Sequence, residues 1–161
     1  MNRFISTFFY SGLFPIAPGT MGSVLALILI LPAAFVPQNL HIIFSFFVLS
    51  ILFGFYSIPK YLHGRTDDLQ EIVIDEAAGL YTTILLAMVI MRVCGVKPNA
   101  FALFGVAFVM FRVFDITKPL IIGYYDRTLK GATGIMVDDI LAGLFAGITT
   151  AIFLIAFHTF K

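Results

Sequence analysis

Two pairs of adjacent carboxylates, Asp75-Glu76 and Asp138-Asp139, each sit at the head of a long apolar run. One acid is enough to complement a helix dipole, and two side by side repel. A cation held between or beside them relieves that repulsion. Oxygen-only ligands suit Mg²⁺, or equally Mn²⁺, rather than zinc. Basic residues accompany the acids at Arg112, Lys118, Arg127 and Lys130. Together these groups can hold a divalent cation and a phosphate. Cation and Arg/Lys neutralise a phosphomonoester so that a nucleophile can approach. A carboxylate can accept the proton of water or protonate the leaving alkoxide.

Three further segments bear on the same chemistry. Phe14-Pro15-Ile16-Ala17-Pro18-Gly19-Thr20-Met21-Gly22-Ser23 combines two prolines with glycines. Thr20 or Ser23 can cap the helix that follows, and free N–H groups at a helix start attract phosphate. A plain elbow into the first apolar run explains the same residues. In Phe111-Arg112-Val113-Phe114-Asp115-Ile116-Thr117-Lys118-Pro119, Arg112 and Asp115 share a helix face and can pair. Pro119 ends that helix near Lys118. Tyr125-Asp126-Arg127 and Lys130-Gly131-Ala132-Thr133-Gly134 offer a guanidinium fork and an ammonium for phosphate oxygens. Binding of anionic lipid by these basic side chains is the alternative. Gly79 and the pair Gly143 and Gly147 suit close helix packing.

The elements that must position these groups are hydrocarbon-like. The 161 residues are 60% hydrophobic and 12% charged, with a mean hydropathy of +1.03. Soluble domains carry about a quarter charged residues, so the chain reads as a single-domain integral membrane protein over residues 1–161. A membrane helix needs about 17–25 apolar residues. Stretches at about residues 21–36, 40–58, 77–93, 100–114 and 140–157 meet or approach this, predicting an all-α polytopic bundle of about five spans. Residues 2–14, rich in aromatics, read as an interfacial or re-entrant helix, or as a further partial span. No cleavable signal peptide is expected, because Pro15, Pro18 and Gly19 break the next apolar stretch.

Basic residues set the orientation. An inside N-terminus puts Arg3, Lys60, Arg65, Arg112, Lys118, Arg127 and Lys130 inside, against Arg92, Lys97 and Lys161 outside. All nine acids, Asp67, Asp68, Glu71, Asp75, Glu76, Asp115, Asp126, Asp138 and Asp139, then share the inner face. Carboxylates are costly near lipid, so their gathering marks a site. The single Cys94 excludes an intrachain disulfide, and His41, His63 and His158 lack zinc spacing. No Lys/Arg run supports nucleic-acid binding.

In this order, the motifs resemble the phosphatidylglycerophosphatase A family of membrane lipid phosphatases. The matching pieces are Gly12 through Ser23, Ile74-Asp75-Glu76-Ala77-Ala78-Gly79, Phe111 through Pro119, Asp126-Arg127, and Lys130 through Gly143. The resemblance implies Mg²⁺-dependent removal of the terminal phosphate of phosphatidylglycerophosphate, yielding phosphatidylglycerol. It implies a multi-pass protein of the bacterial inner membrane, with its site on the cytoplasmic face and membrane lipids around it. By the same resemblance, Asp75, Glu76, Asp138 and Asp139 are the metal and catalytic carboxylates. Arg112, Lys118, Arg127 and Lys130 hold phosphate, supported by Thr20 and Ser23. Asp115 and Asp126 are proton-transfer or supporting groups. The family usually has a larger residue after the Asp-Glu pair, where this chain has Ala77-Ala78; no charged residue is lost.

Rival chemistries leave other marks. Histidine-based phosphatidic-acid phosphatases need paired histidines in a set pattern, CDP-alcohol phosphotransferases a longer run of spaced aspartates, and haloacid-dehalogenase types Asp-x-Asp-x-Thr. None is present. A small cation-binding transporter is the alternative from a different class, but it wants charges at mid-membrane depth.

Overall fold

The computed structural model describes residues 1–36, 39–64, 69–97, 99–119 and 121–159. Among the described residues seven α-helices follow one another: α1 (Asn2–Ser6), α2 (Pro18–Ile30), α3 (Asn39–Leu62), α4 (Ile74–Val93), α5 (Ala100–Thr117), α6 (Ile121–Thr128) and α7 (Gly131–Thr159). A 3₁₀ turn at Leu31–Phe35 extends α2. Among the described residues five segments are long and apolar enough to cross a membrane: Pro18–Phe35, Leu40–Leu62, Ile74–Val93, Ala100–Thr117 and Gly131–Thr159. The expected all-α membrane bundle of five spans is what forms.

α4 is the axis of the bundle. Two thirds of it (67%) is buried inside the protein, against 28–39% for the other four. Its small residues make this possible. A Cβ added at Gly79 would lie 2.7 Å from the Asp139 carbonyl, and one at Gly143 would lie 2.4 Å from the Gly79 carbonyl. α4 and α7 therefore touch backbone to backbone, the close approach expected of small-residue faces in lipid. Ala26, Ile30, Leu80, Ile84 and Phe111 fill the remaining interfaces and are fully buried. The hydroxyl of buried Tyr81 donates to the Ala26 carbonyl at 3.1 Å, so its polar end is satisfied against α2.

Three local expectations are corrected. Neither Thr20 nor Ser23 caps α2. Ala17 holds the N-cap in the left-handed region (φ 51°), Pro18 opens the helix, and no side chain caps it. Proline suits this position because its missing N–H would be unpaired there anyway. Residues 2–14 are not one helix. α1 stops at Ser6, Phe8, Phe9 and Tyr10 take positive φ, and a 3₁₀ turn follows at Ser11–Leu13.

The third correction concerns Asp138-Asp139, which do not open a helix. α7 begins at Gly131, so they are its eighth and ninth residues. The glycines at its start are poor helix formers, but Ile135 and Met136 are buried, and Met136 Sδ packs against Gly54 of α3. Tertiary packing thus supports turns that local propensity does not. At about 1.5 Å per residue, the 29-residue α7 is about 43 Å long, against about 30 Å of hydrocarbon. The excess, about nine residues, matches the stretch through Asp139. The pair thus lies two turns inside α7 rather than at its start.

Candidate active site

The N-terminal ends of α2, α4 and α7 meet the C-terminal end of α5 around a cavity of about 390 Å³. Asp75 and Glu76 enter from the first turn of α4. Arg112 and Asp115 come from the last turns of α5, and Lys118 from its C-cap. Asp138 and Asp139 come from α7. Neighbouring residues on a helix diverge by about 100°, so the α7 pair serves two different partners.

One half of the site is an Arg-centred cluster. Arg112 Nη1 donates to Glu76 Oε2 in a very short contact and pairs with Asp115 Oδ2 at 2.8 Å. The expected pairing of Arg112 with Asp115 is thus present. Ser23 Oγ, fully buried, lies 3.1 Å from Glu76 Oε2 and 3.0 Å from the Gly19 carbonyl. Oxygens of Glu76, Asp115 and Asp139 all fall within 4.8 Å of one another. The other half centres on Lys118, whose ammonium donates at 2.5 Å to both Asp126 Oδ1 and Asp138 Oδ2. Burial alone would lower the Lys118 pKa, but these two carboxylates outweigh it and raise the ammonium above its ordinary range.

Five carboxylates and two basic side chains line the cavity, a formal excess of three negative charges. Such an excess would repel a phosphate dianion. A divalent cation resolves the conflict, and the donor set fits one. Asp139 Oδ2 is buried with no hydrogen-bond partner among the described residues, on a carboxylate that clusters with Glu76 and Asp115. Arg112, which lines the same cavity, has a buried Nε with no acceptor among the described residues. The site thus offers an unused acceptor for a cation and an unused donor for an anion.

Other residues singled out from the sequence lie elsewhere. Thr20 is half-buried and off the cavity wall, and Ser23 sits behind Glu76 rather than on the surface. Arg127 and Lys130 are exposed and outside the lining. Asp67 and Asp68 fall outside the described residues. Conversely, Gln70 and Ile72, just before α4, and Ala17, just before α2, form part of the wall. No charge pattern marks those three. Only the fold brings them there.

Comparison with known proteins bears directly on this site. The sequence profile of the phosphatidylglycerophosphatase A family matches residues 4–154. The chain belongs to this family. It is 34% identical to phosphatidylglycerophosphatase A of Escherichia coli K12 over 137 residues, 84% of this chain and 73% of that one. It is 35% identical to the protein of the same name from Haemophilus influenzae over 140 residues, 86% and 79% of the two chains. A protein of Bacteroides thetaiotaomicron, provisionally named a phosphatidylinositol-3-phosphatase, is 33% identical over 153 residues, covering 92% and 90%. No solved structure matches. Family membership makes the chain a phosphoric monoester hydrolase, and all the carboxylates gathered above fall within the matched residues.

Proposed function

We propose that this protein hydrolyses the terminal phosphomonoester of phosphatidylglycerophosphate to give phosphatidylglycerol, in phospholipid biosynthesis at the bacterial inner membrane. Its site would open to the cytoplasm and depend on Mg²⁺, with Mn²⁺ as an equivalent ion. The observation that carries this reading is the charge balance of the cavity: five carboxylates against two cations, at the membrane-boundary ends of four helices. Such a cavity attracts a divalent cation first and a phosphate second. The headgroup phosphate of a lipid lies at that depth.

Glu76, Asp115 and Asp139 would hold the cation, with Asp75 and Asp138 completing the acidic wall. When bound, the cation supplies charge neutralisation and Lewis acidity. Arg112 is tied to Glu76 and Asp115 and would direct its buried Nε at a phosphate oxygen. Lys118, held between Asp126 and Asp138, keeps a fixed positive charge beside the departing phosphate. A carboxylate at the wall accepts the proton of the attacking water or protonates the leaving glycerol oxygen. Arg127 and Lys130, exposed nearby, would guide the anionic headgroup inward.

The test is phosphate release by purified, folded protein in detergent. Phosphatidylglycerophosphate, phosphatidylinositol 3-phosphate and phosphatidic acid would be compared, with Mg²⁺ and then with EDTA. Release confined to Mg²⁺ and strongest with phosphatidylglycerophosphate supports the proposal. Preference for phosphatidylinositol 3-phosphate would move the assignment to the headgroup in the name of the Bacteroides relative. No release from any of the lipids would return the cation-transporter alternative to first place.

A further inference from the structure

Residues 71–73 form a short strap that runs directly into Asp75 and Glu76, and α1, α2, α3 and the turn at Gly12 all contact it. The Tyr61 hydroxyl, at the end of α3, donates to Glu71 Oε1 at 2.5 Å. The Arg3 side chain stands beside Tyr61. The Val73 N–H donates to the Ser6 carbonyl at 3.0 Å. Gly12 lies so close that a Cβ there would be 2.1 Å from the Glu71 carbonyl, and a Cβ at Gly22 would be 2.7 Å from Val73 Cβ.

The N-terminal segment reaches this position by an unusual backbone. Phe8, Phe9 and Tyr10 take φ of 42°, 57° and 66° in succession. Side chains with a Cβ rarely adopt that region, and a run of three persists only where the surroundings enforce it. Ser6, Gly12 and Tyr61 thus all bear on the strap. The strap in turn carries Ile72 into the cavity wall beside the adjoining Gln70, and Val73 is the N-cap residue of α4.

We infer that Tyr61 and Glu71 are positioning residues: their hydrogen bond anchors the strap and thereby fixes where Asp75 and Glu76 stand. The inference rests on the phosphatase reading of the site. Neither side chain lines the cavity, so their effect on turnover passes through the strap. Reacting groups lose about 10²-fold for a 1 Å misplacement. A strap loosened by a fraction of that distance lowers kcat by about tenfold.

The test compares full-length wild type with Tyr61→Phe, Glu71→Leu, Glu71→Gln and the double variant Tyr61→Phe/Glu71→Leu. Steady-state kinetics use phosphatidylglycerophosphate with Mg²⁺, alongside melting temperatures in detergent. Tyr61→Phe and Glu71→Leu each lower kcat by about tenfold with KM within about twofold. Glu71→Gln keeps an oxygen acceptor for Tyr61 and restores kcat. The double variant is no slower than the worse single variant, because both remove one hydrogen bond. Wild-type kcat in either single variant, multiplied losses in the double, or failure of glutamine to rescue would overturn the inference. So would activity losses that merely follow the fraction of unfolded protein. If wild type releases no phosphate, the phosphatase reading falls, and positioning is read from Mn²⁺ affinity by electron paramagnetic resonance instead. Weaker Mn²⁺ binding in Tyr61→Phe and Glu71→Leu, restored in Glu71→Gln, sustains positioning. Unchanged binding rejects it.

Discussion

Adding one methyl group at Gly143 is a sharp test of how helix packing sets the chemistry. The new Cβ would lie 2.4 Å from the Gly79 carbonyl oxygen and 3.0 Å from Thr82 Cβ. Ordinary contact begins near 3.4 Å, so α7 must retreat from α4 by about 1 Å. The obstacle is backbone, so no rotamer change relieves it. Asp139 lies one turn before Gly143 on α7, and Glu76 one turn before Gly79 on α4. The retreat therefore widens the carboxylate cluster, whose oxygens lie within 4.8 Å of one another. Overpacking costs about 1–3 kcal/mol, and replacing a helical glycine returns up to about 1 kcal/mol. The net loss of about 0–3 kcal/mol leaves a folded protein. Activity is far more sensitive, because 1 Å at reacting groups costs about 10²-fold. Gly143→Ala is thus expected to fold in detergent yet lose about 10²-fold in kcat, with weaker apparent Mg²⁺ affinity. Gly105→Ala is the control: that glycine has nothing within 4 Å of an added Cβ, so activity should be unchanged. Gly143→Ala with kcat within about threefold of wild type, or an equal loss in Gly105→Ala, would refute the reasoning.

Asp139→Asn keeps the side chain's shape and removes one charge. It should lower turnover by about 10²–10³-fold while raising the melting temperature in EDTA, because crowded carboxylates repel when no cation is bound. A lower melting temperature in EDTA would argue against that repulsion. For Lys118, whose pKa is raised, the ammonium's contribution to stability is complete below its unfolded pKa of about 10.4. It is lost only as pH rises through the higher folded value. The melting difference between wild type and Lys118→Gln should therefore stay constant from about pH 6 to about pH 9. A difference that shrinks steadily across that window contradicts the assigned contacts. Cys94 is exposed just past the end of α4 remote from the cavity, so an impermeant maleimide should label it from outside the cell. Tyr124→Cys, in a Cys94→Ser background, should label only in inverted vesicles. Labelling of both from one side would break the proposed topology.

The spans were legible in the sequence because apolar length is a local property, dictated by the thickness of hydrocarbon rather than by packing. The acid pairs stood out in the sequence for a related reason: carboxylates beside lipid are costly, and the fold gathers all four around one cavity. The Arg112–Asp115 pair followed from helix periodicity alone, and Lys118 as the end of α5 followed from Pro119. What the sequence could not express was which side chains face one another across helices. Glu76 and Asp139 meet because Gly79 and Gly143 let α4 and α7 touch, and Asp115 joins them from α5, whose Phe111 packs on Gly79; those contacts exist only in three dimensions. Arg127 and Lys130 share a sequence neighbourhood with Asp138, yet the turn into α7 leaves them outside the cavity lining. The start of α7 was hidden because glycine-rich residues there have weak helix propensity, which burial of Ile135 and Met136 overrides. The wall residues Gln70 and Ile72 carried no local signal, since their place depends on a strap held by Ser6, Gly12 and Tyr61 from distant parts of the chain. Sequence thus determined the solvent each segment needs and the charges available to a site, because these depend on residue type alone. Tertiary structure decided which of those charges meet, because that depends on how closely two helix backbones can approach.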